Sequence, residues 1–299
     1  MVLAFACVVC LLYFIHHISQ AISVNHIVDR IASETEAIID EMMPNPIRAV
    51  RLAEPENVKL SGVEAPVLSE VSGYVRYIDT ARLVAAAKTY RIVARVVRRV
   101  GHFAPEGIAI VMVSKAERLT PAACAEITNS FDFGPTRTLQ QDVEFGVLQI
   151  VDIALKAISP AVNDPSTAIN CIDHIGRLLI RYGKRDPLDA LLYDPPGVLR
   201  ATVPWLRFDR LAESAFAQIR LYAQGDFAVS LRLLRALCDI ATAIPLDSDK
   251  RILVEHGERI VAGCESALSM DDMKEMRARF AALERIVGRP EIELAALSG

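Results

Sequence analysis

The sequence predicts a mixed α+β protein that is mainly α. Three observations support this prediction: an uncharged apolar run at the amino terminus, β-branched and alternating segments between residues 63 and 113, and three- and four-residue apolar spacing from Pro121 onward. We therefore expect four parts in chain order: a transmembrane helix (1–24), an amphipathic helical stalk (25–45), a small β-rich domain with a helical insert (46–115) and an α-helical bundle (116–299).

The amino-terminal run predicts a membrane anchor. MVLAFACVVCLLYFI, residues 1–15, has no charged side chain, and HHISQAISV extends the uncharged stretch to Val24. About 20 such residues span a bilayer. No basic residue precedes the run, which disfavours a cleaved signal peptide. Arg30, Arg48 and Arg51 follow it, so we expect a bacterial inner-membrane protein with the bulk of the chain in the cytoplasm.

The stalk is predicted from an apolar stripe at helical spacing, and MPNP at 43–46 is expected to end that helix because proline removes a backbone donor. Such a stripe needs a partner, which predicts a homo-oligomer; the alternative partner is the protein's own domain. The stripe consists of Val24, Ile27, Ile31, Ile38 and Met42.

The β-rich domain is predicted from VSGYVRYID and IAIVMV as strands, TARLVAAAKTY as a helical insert and GHFAPEG as a turn. RIVARVVRR is ambiguous, and its β-branched content favours a strand. Its basic residues are candidate contacts to lipid headgroups, and the alternative is a solvated strand edge protected by charge. These residues are Arg91, Arg95, Arg98 and Arg99.

The helical bundle is predicted from seven runs with apolar residues three and four positions apart. DPPGVLRATVPW, residues 194–205, is the one long break and is expected to add a short extended segment. The runs cover residues 121–130, 138–158, 165–182, 208–223, 226–243, 248–266 and 270–287.

The stretch SPAVNDPST, residues 159–167, joins two of these runs. Asp164 is suited to cap a helix, Pro165 to its first position, and Asn163 to the turn. The stretch is therefore predicted to be a capped corner between two helices, with a binding site as the alternative.

Polar residues on the two helices beside this corner form a candidate cluster. The pairs Asp152–Lys156 and Asp173–Arg177 have the spacing of ion pairs along a helix, which favours an ion-pair network. The alternative is a site in which facing carboxylates hold a divalent metal or share a proton. The standard catalytic motifs are not found, so we expect no catalytic residue, no metal and no cofactor. The cluster comprises Asp142, Asp152, Asn170, Asp173, His174 and Arg177.

Composition narrows the choice of partners. Apolar residues make up 52% of the chain, which is consistent with contact to a lipid bilayer. The formal charge of −4 argues against nucleic acid, whose phosphates require a basic face. The six cysteines are scattered, which indicates reduced thiols rather than disulfides. No ligand can be predicted.

Several stretches resemble one bacterial family. SGYVRYIDTARLVAAA, GHFAPEG, RTLQQDVEFGVLQIVDIALKAISPAVNDPSTAINCIDHIG and AFAQIRLYA are similar to the domain-of-unknown-function 2254 family of predicted integral membrane proteins. The resemblance implies several membrane spans followed by a soluble region, of which this sequence is expected to hold only the last span. It implies no activity and no catalytic residues.

Taken with the sequence patterns, the resemblance predicts a non-catalytic membrane protein whose cytoplasmic region senses, gates or scaffolds. Two alternatives stay open at this point. One is a subunit of a channel or transporter, and the other is a membrane-anchored enzyme that uses the buried carboxylates.

Overall fold

The computed structural model of the protein describes residues 10–11, 24–43 and 63–288. This part of the chain is mainly helical and contains two β-sheets, which confirms the predicted mixed α+β class. The predicted transmembrane helix lies outside the described residues, apart from Cys10, Leu11 and Val24. Among the residues that are described, no helix combines the length and the apolar character needed to cross a membrane.

The helices from Pro121 onward confirm the seven predicted helical runs, with ends that differ by a few residues. The longest difference is at the start of the second run, where the helix begins at Val143 rather than at 138. In chain order the described helices are α1 (Val24–Met42), α2 (Thr80–Thr89), α3 (Pro121–Thr128), α4 (Val143–Ala157), α5 (Pro165–Gly183), α6 (Phe208–Tyr222), α7 (Phe227–Ala243), α8 (Asp247–Cys264) and α9 (Met270–Val287).

The strands form a five-stranded sheet in the order β1-β5-β3-β8-β7 and a three-stranded sheet in the order β4-β2-β6. All neighbouring strands are antiparallel except β3 and β8, which are parallel. The strands are β1 (Ala65–Leu68), β2 (Gly73–Ile78), β3 (Ala94–Val96), β4 (Phe103–Ala104), β5 (Ala109–Val113), β6 (Phe131–Gly134), β7 (Leu191–Asp194) and β8 (Val198–Thr202).

Two sequence expectations about strands can now be compared with the structure. RIVARVVRR does contain a strand, β3 at its centre. The break at 194–205 holds more than a short extended segment, because β7 and β8 form a hairpin and β8 joins the main sheet beside β3. Its turn is closed by a hydrogen bond of 2.8 Å from Gly197 N to Asp194 O. The pairing with β3 connects residues about a hundred positions apart, which no local pattern reveals.

The described chain divides into two compact units. Of the described residues, the first unit contains 10–11, 24–36, 146–181 and 212–288, and the second contains 37–43, 63–145 and 182–211. In the first unit, α7 packs on both α8 and α9, and α8 packs on α9. The second unit holds both sheets together with α2 and α3.

Each unit buries an apolar core. In the second, β-branched residues of the strands pack against Leu83 of α2 and Ile127 of α3, both fully buried. In the first, Phe216 of α6 and Leu234 of α7 are fully buried. Burial of large apolar side chains is the main contribution to the stability of such cores, at about 1.5–3 kcal/mol for each.

Helix α1 buries a different face from the predicted stripe. The predicted residues Ile27, Ile31, Ile38 and Met42 are only partly buried and Val24 is exposed, so the pairing of this stripe with a second chain stays a prediction. The buried face itself was not predicted, because small side chains let helices approach closely but add little to an apolar pattern. The buried face consists of Val28, Ala32, Thr35, Ile39 and Met43.

One contact shows how close α1 comes to its neighbour. A Cβ atom built on Gly146 of α4 would lie 2.0 Å from Thr35 Oγ1, so only glycine fits at this point. Thr35 is fully buried, and its hydroxyl donates to Ile31 O at 2.7 Å. Helix α1 is therefore packed against its own chain along this face.

Candidate functional site

The corner between α4 and α5 is a capped turn. The Asp164 carboxylate accepts hydrogen bonds from Thr167 N (3.2 Å), Thr167 Oγ1 (2.6 Å) and Ser166 Oγ (2.5 Å). The bonds from Ser166 and Thr167 lower the Asp164 pKa to about 2. Pro165 is the first residue of α5, and Asn163 takes the left-handed conformation at φ 49°. The polar residues of the corner are thus used in folding the corner itself.

A row of polar contacts links α1 to α5 within the first unit, and we call it the polar ladder. Asn170 Nδ2 donates to Asn25 Oδ1 at 3.0 Å. Further along both helices, the Arg177 guanidinium lies 3.5 Å from Asp29 Oδ1 and 2.9 Å from Glu36 Oε1. One arginine therefore bridges two acids that are seven residues, or two helical turns, apart on α1.

Asp173 and His174 lie beside the polar ladder. Asp173 forms an ion pair with Arg232 of α7, so its partner is on another helix and not the predicted Arg177. The Nδ1 atom of His174 is buried and has no hydrogen-bond partner among the described residues. Burial, and next the positive charge of Arg177, lower the His174 pKa, so the neutral imidazole is favoured there.

The other two residues of the predicted cluster lie elsewhere. Asp152 is exposed on α4 in the first unit, whereas Asp142 precedes α4 and belongs to the second unit. Within the described ranges, no group of three or more histidine, cysteine, aspartate or glutamate side chains is placed to hold a metal ion. The polar residues of α5 are thus partners of α1 and α7, and Asp142 has a separate set of contacts.

Those contacts form a buried charge cluster in the second unit, made of Arg99, Arg137, Asp142 and Glu144. Arg137 binds Asp142 through two hydrogen bonds of 2.8 Å and lies 3.2 Å from Glu144 Oε2. Arg99 donates to the same Glu144 oxygen at 2.9 Å. Asp142 is only 4% exposed and also accepts from Phe145 N at 3.1 Å, which caps α4. The cluster contains two positive and two negative groups, so its charges balance.

The backbone at Gly101 is shaped around this cluster. Gly101 has φ +85°, and a Cβ atom on it would lie 2.6 Å from Asp142 Oδ2 and 2.7 Å from Arg137 Nη2. His102 N donates to Arg99 O at 3.1 Å and so closes a turn, but the predicted turn GHFAPEG also contains strand β4. Burial together with Arg99 lowers the His102 pKa. The turn and the cluster therefore depend on each other.

Sequence reasoning missed Arg137, Glu144 and the role of Gly101. The residues that contact one another here are not spaced as neighbours on the same helix or the same strand, so no periodic pattern predicts their contacts. The only local signal was the Asp142 side chain immediately before an apolar helix, which is the pattern of an N-cap.

A small cavity of about 30 Å³ borders the buried charge cluster. A cavity of this size holds about two water molecules and is far below the volumes of small-molecule sites. Its lining includes Arg99, Asp142, Tyr182 and Trp205. The cavity is suited to hydrating the cluster rather than to binding a substrate.

The four candidate lipid-contact arginines have four different environments. Arg95 on β3 pairs with Glu64 at 2.6 Å, and Arg99 belongs to the buried charge cluster. Arg91 is exposed with φ 53°, and Arg98 is partly buried. Only Arg95 lies on β3, and the other three precede or follow the strand, so the four residues do not form the single face that a helix would give them.

Comparison with known proteins shows the family of this chain. The family model of DUF2254, described as a predicted membrane protein, matches residues 1–239. That is well over half of the 299 residues, and the chain belongs to this family. The resemblance seen in the sequence motifs is confirmed.

Similar proteins are found in mycobacteria. The chain is 31% identical over 258 residues to the uncharacterised protein Mb1321c of Mycobacterium bovis and, to the same extent, to the uncharacterised protein Rv1290c of Mycobacterium tuberculosis. These matches cover 85% of this chain and 49% of each relative, so the chain spans about half the length of the curated relatives it matches. No solved structure matches the chain.

Proposed function

We propose that the chain is part of a bacterial inner-membrane protein, anchored through residues 1–24, whose remaining residues form a non-catalytic cytoplasmic region used for sensing, gating or scaffolding. Membership in a family of predicted membrane proteins supports the anchor, as does the uncharged run itself. The orientation is supported by Arg30, Arg48 and Arg51, which follow the run while nothing basic precedes it.

The observation that carries the proposal is the polar ladder. The described part of helix α1 starts at Val24, the last residue of the uncharged run, and it is held on α5 by hydrogen bonds and ion pairs. Val28, Ala32 and Thr35 on the same helix are fully buried. A helix that is fixed in this way joins the anchor rigidly to the first unit, so a movement of the anchor is passed to that unit.

The partly exposed face of α1 supports a homo-oligomer. Val24 is 42% exposed, and Ile27, Ile31 and Ile38 are only partly covered by the chain itself. These positions keep the spacing of a helix-pairing seam. A second copy of α1 is the partner that we propose for them.

The two alternative functions have less support. An enzyme would need Asp152, Asp173 and His174 to act together, whereas Asp152 is exposed and Asp173 forms an ion pair with Arg232. A channel or transporter subunit would depend on ionisable residues within further membrane spans.

The proposed coupling, in which α1 passes movement of the anchor to the first unit, is tested by weakening the polar ladder. Arg177→Leu removes both ion pairs to α1 and keeps a side chain that packs on a helix. In amide hydrogen exchange on the full chain in lipid nanodiscs, we expect faster exchange in α1 for Arg177→Leu. The matched control is Arg259→Leu, another partly exposed, ion-paired arginine of the first unit, on α8. Equal exchange of α1 in the two variants would contradict the proposed coupling.

The orientation is tested separately with carboxy-terminal fusions of the full chain. A cytoplasmic end gives a fluorescent fusion to green fluorescent protein and an inactive fusion to alkaline phosphatase. The opposite pair of results would contradict the proposed orientation.

A further inference from the structure

Four large apolar side chains are exposed together at one end of the second unit. Leu68 is the last residue of β1 and Val71 lies in the turn that follows, whereas Phe103 is in β4 and Ile108 lies in the turn after β4. Their exposed fractions are 46%, 50%, 47% and 41%. We call these four residues the turn patch. Exposed apolar side chains that lie together are typical of surfaces that bind a protein or a membrane.

The two turns are held together by their backbones. Ser69 N donates to Ile108 O at 2.9 Å, and Gly107 N donates to Ser69 O at 2.8 Å. Glu106 N donates to Ser72 Oγ at 3.0 Å, and the Phe103 ring packs edge-on against Tyr74 at 5.1 Å. The apolar groups are thus presented by an ordered pair of turns.

The patch projects outward. A Cβ atom on Gly107 would have no heavy atom of the described residues within 4 Å, and Glu106, Gly107 and Ile108 are all exposed. A projecting tip has no groove in which a peptide or a helix could bind. It is suited to inserting into a fluid surface such as that of a lipid bilayer.

The charges of the two turns indicate which kind of membrane surface they can contact. The two turns, LSEVSG at 68–73 and FAPEGI at 103–108, contain the exposed carboxylates of Glu70 and Glu106 and no lysine or arginine. Carboxylates are repelled by phosphate-rich anionic surfaces. They are complementary to the ammonium groups of zwitterionic headgroups such as ethanolamine and choline.

We propose that the turn patch inserts into the boundary between headgroups and acyl chains of a zwitterionic bilayer; this rests on the proposed function, which places the chain at a membrane. Apolar side chains at this depth, roughly 5–10 Å into the interface, gain free energy in proportion to the apolar area removed from water. The lipid contact predicted for the four arginines is thereby reassigned to the apolar turns, since Arg95 and Arg99 are engaged by Glu64 and Glu144.

The test uses tryptophan as a depth probe in the full chain. Trp205 is the single tryptophan, so Trp205→Phe gives a silent background. Into it we place Phe103→Trp as the probe and Tyr193→Trp as the matched control, because Tyr193 is an aromatic residue of the same unit with an exposed fraction of 55%. Both proteins are reconstituted in phosphatidylcholine vesicles, with and without bromine on the acyl chains.

In brominated vesicles the Phe103→Trp probe is expected to lose about half of its emission, because a side chain at interfacial depth lies within reach of the bromine atoms. The Tyr193→Trp control is expected to keep its emission. Adding Val71→Asp and Ile108→Asp to the probe should restore the lost emission, and replacing half of the zwitterionic lipid with phosphatidylglycerol should weaken the quenching.

Three outcomes would overturn the proposal. They are equal quenching of probe and control, an unquenched probe, and a probe whose emission shifts to the blue without bromine quenching, which would show burial against protein instead. Flotation of the same samples separates the two proposals. A chain that floats with vesicles while its probe stays unquenched retains the membrane anchor and loses the turn patch, whereas a chain that does not float contradicts the proposed function.

Discussion

Replacing Gly101 with alanine should destabilise the second unit by disturbing the buried charge cluster. Two effects add. Holding a non-glycine residue in the left-handed region costs about 1–2 kcal/mol. In addition, the new Cβ would lie 2.6 Å from Asp142 Oδ2 and 2.7 Å from Arg137 Nη2, so both side chains have to shift. Removing one partner of a buried ion pair costs about 3–5 kcal/mol, and displacing the pair costs part of this. Partial relaxation reduces the sum, and we expect a total loss of about 3–5 kcal/mol.

Gly107→Ala is the matched control for this prediction. Gly107 has φ +78°, close to that of Gly101, but open space around its Cβ position among the described residues. Its replacement therefore carries only the backbone cost of about 1–2 kcal/mol. Urea unfolding of the full chain in detergent, followed by circular dichroism, compares the two midpoints. Free energies of unfolding that agree within about 0.5 kcal/mol would refute the claim that the turn at Gly101 is built around the charge cluster.

Three further predictions concern other parts of the chain. Asp164→Ala should lower the melting temperature because it removes the cap of α5. Asp164→Asn should stay near wild type because asparagine also caps helices. A divalent ion that raises the wild-type melting temperature but not that of Asp164→Asn would indicate a binding site instead. The carboxylate of Asp164, with its pKa of about 2, should stabilise the fold above about pH 4 and lose this effect as the pH falls toward 2, which acid titration of the wild type against Asp164→Asn can measure. Burial is the main factor that lowers the pKa of His102, His174 and His256, so the unfolded chain takes up protons that the folded chain does not. The melting temperature should therefore fall as the pH drops below about 6.5. A melting temperature that stays constant down to about pH 5 would contradict this prediction.

The parts of the fold that the sequence predicted well are those with local signals. The helices after Pro121 carry an apolar period along each segment, and their bounds agree with the structure to within a few residues, apart from the start of α4. The corner before α5 was also predictable, because Asp164 and Pro165 act on neighbouring amides of the same turn.

The parts that were not predictable depend on contacts between distant segments. The β8 strand pairs in parallel with β3, and Arg177 reaches Asp29 and Glu36 on α1, whereas its local partner by spacing was Asp173. The apolar spacing also predicted that the isoleucines of α1 form its packing face, whereas Ala32 and Thr35 are among the residues that are buried. The small side chain of Thr35 fits against Gly146.

The contacts of the candidate site were also not predictable from local sequence patterns. Asp142 was identified as a polar residue of interest, but its partner Arg137 was not, because the two meet across a bend that has no helical or strand period. Polar residues in an apolar setting can therefore be found from the sequence, whereas their partners come from the fold.

The central claim of this account is that α1 connects the membrane anchor to the first unit as a fixed helix. Amide hydrogen exchange of the wild-type full chain in lipid nanodiscs tests it most directly, through the amides from Val28 to Thr35. The account predicts that these amides are protected to the same degree as those of α5, because both helices share the polar ladder and a buried face. Exchange of α1 orders of magnitude faster than that of α5 would show a free stalk and would contradict the claim.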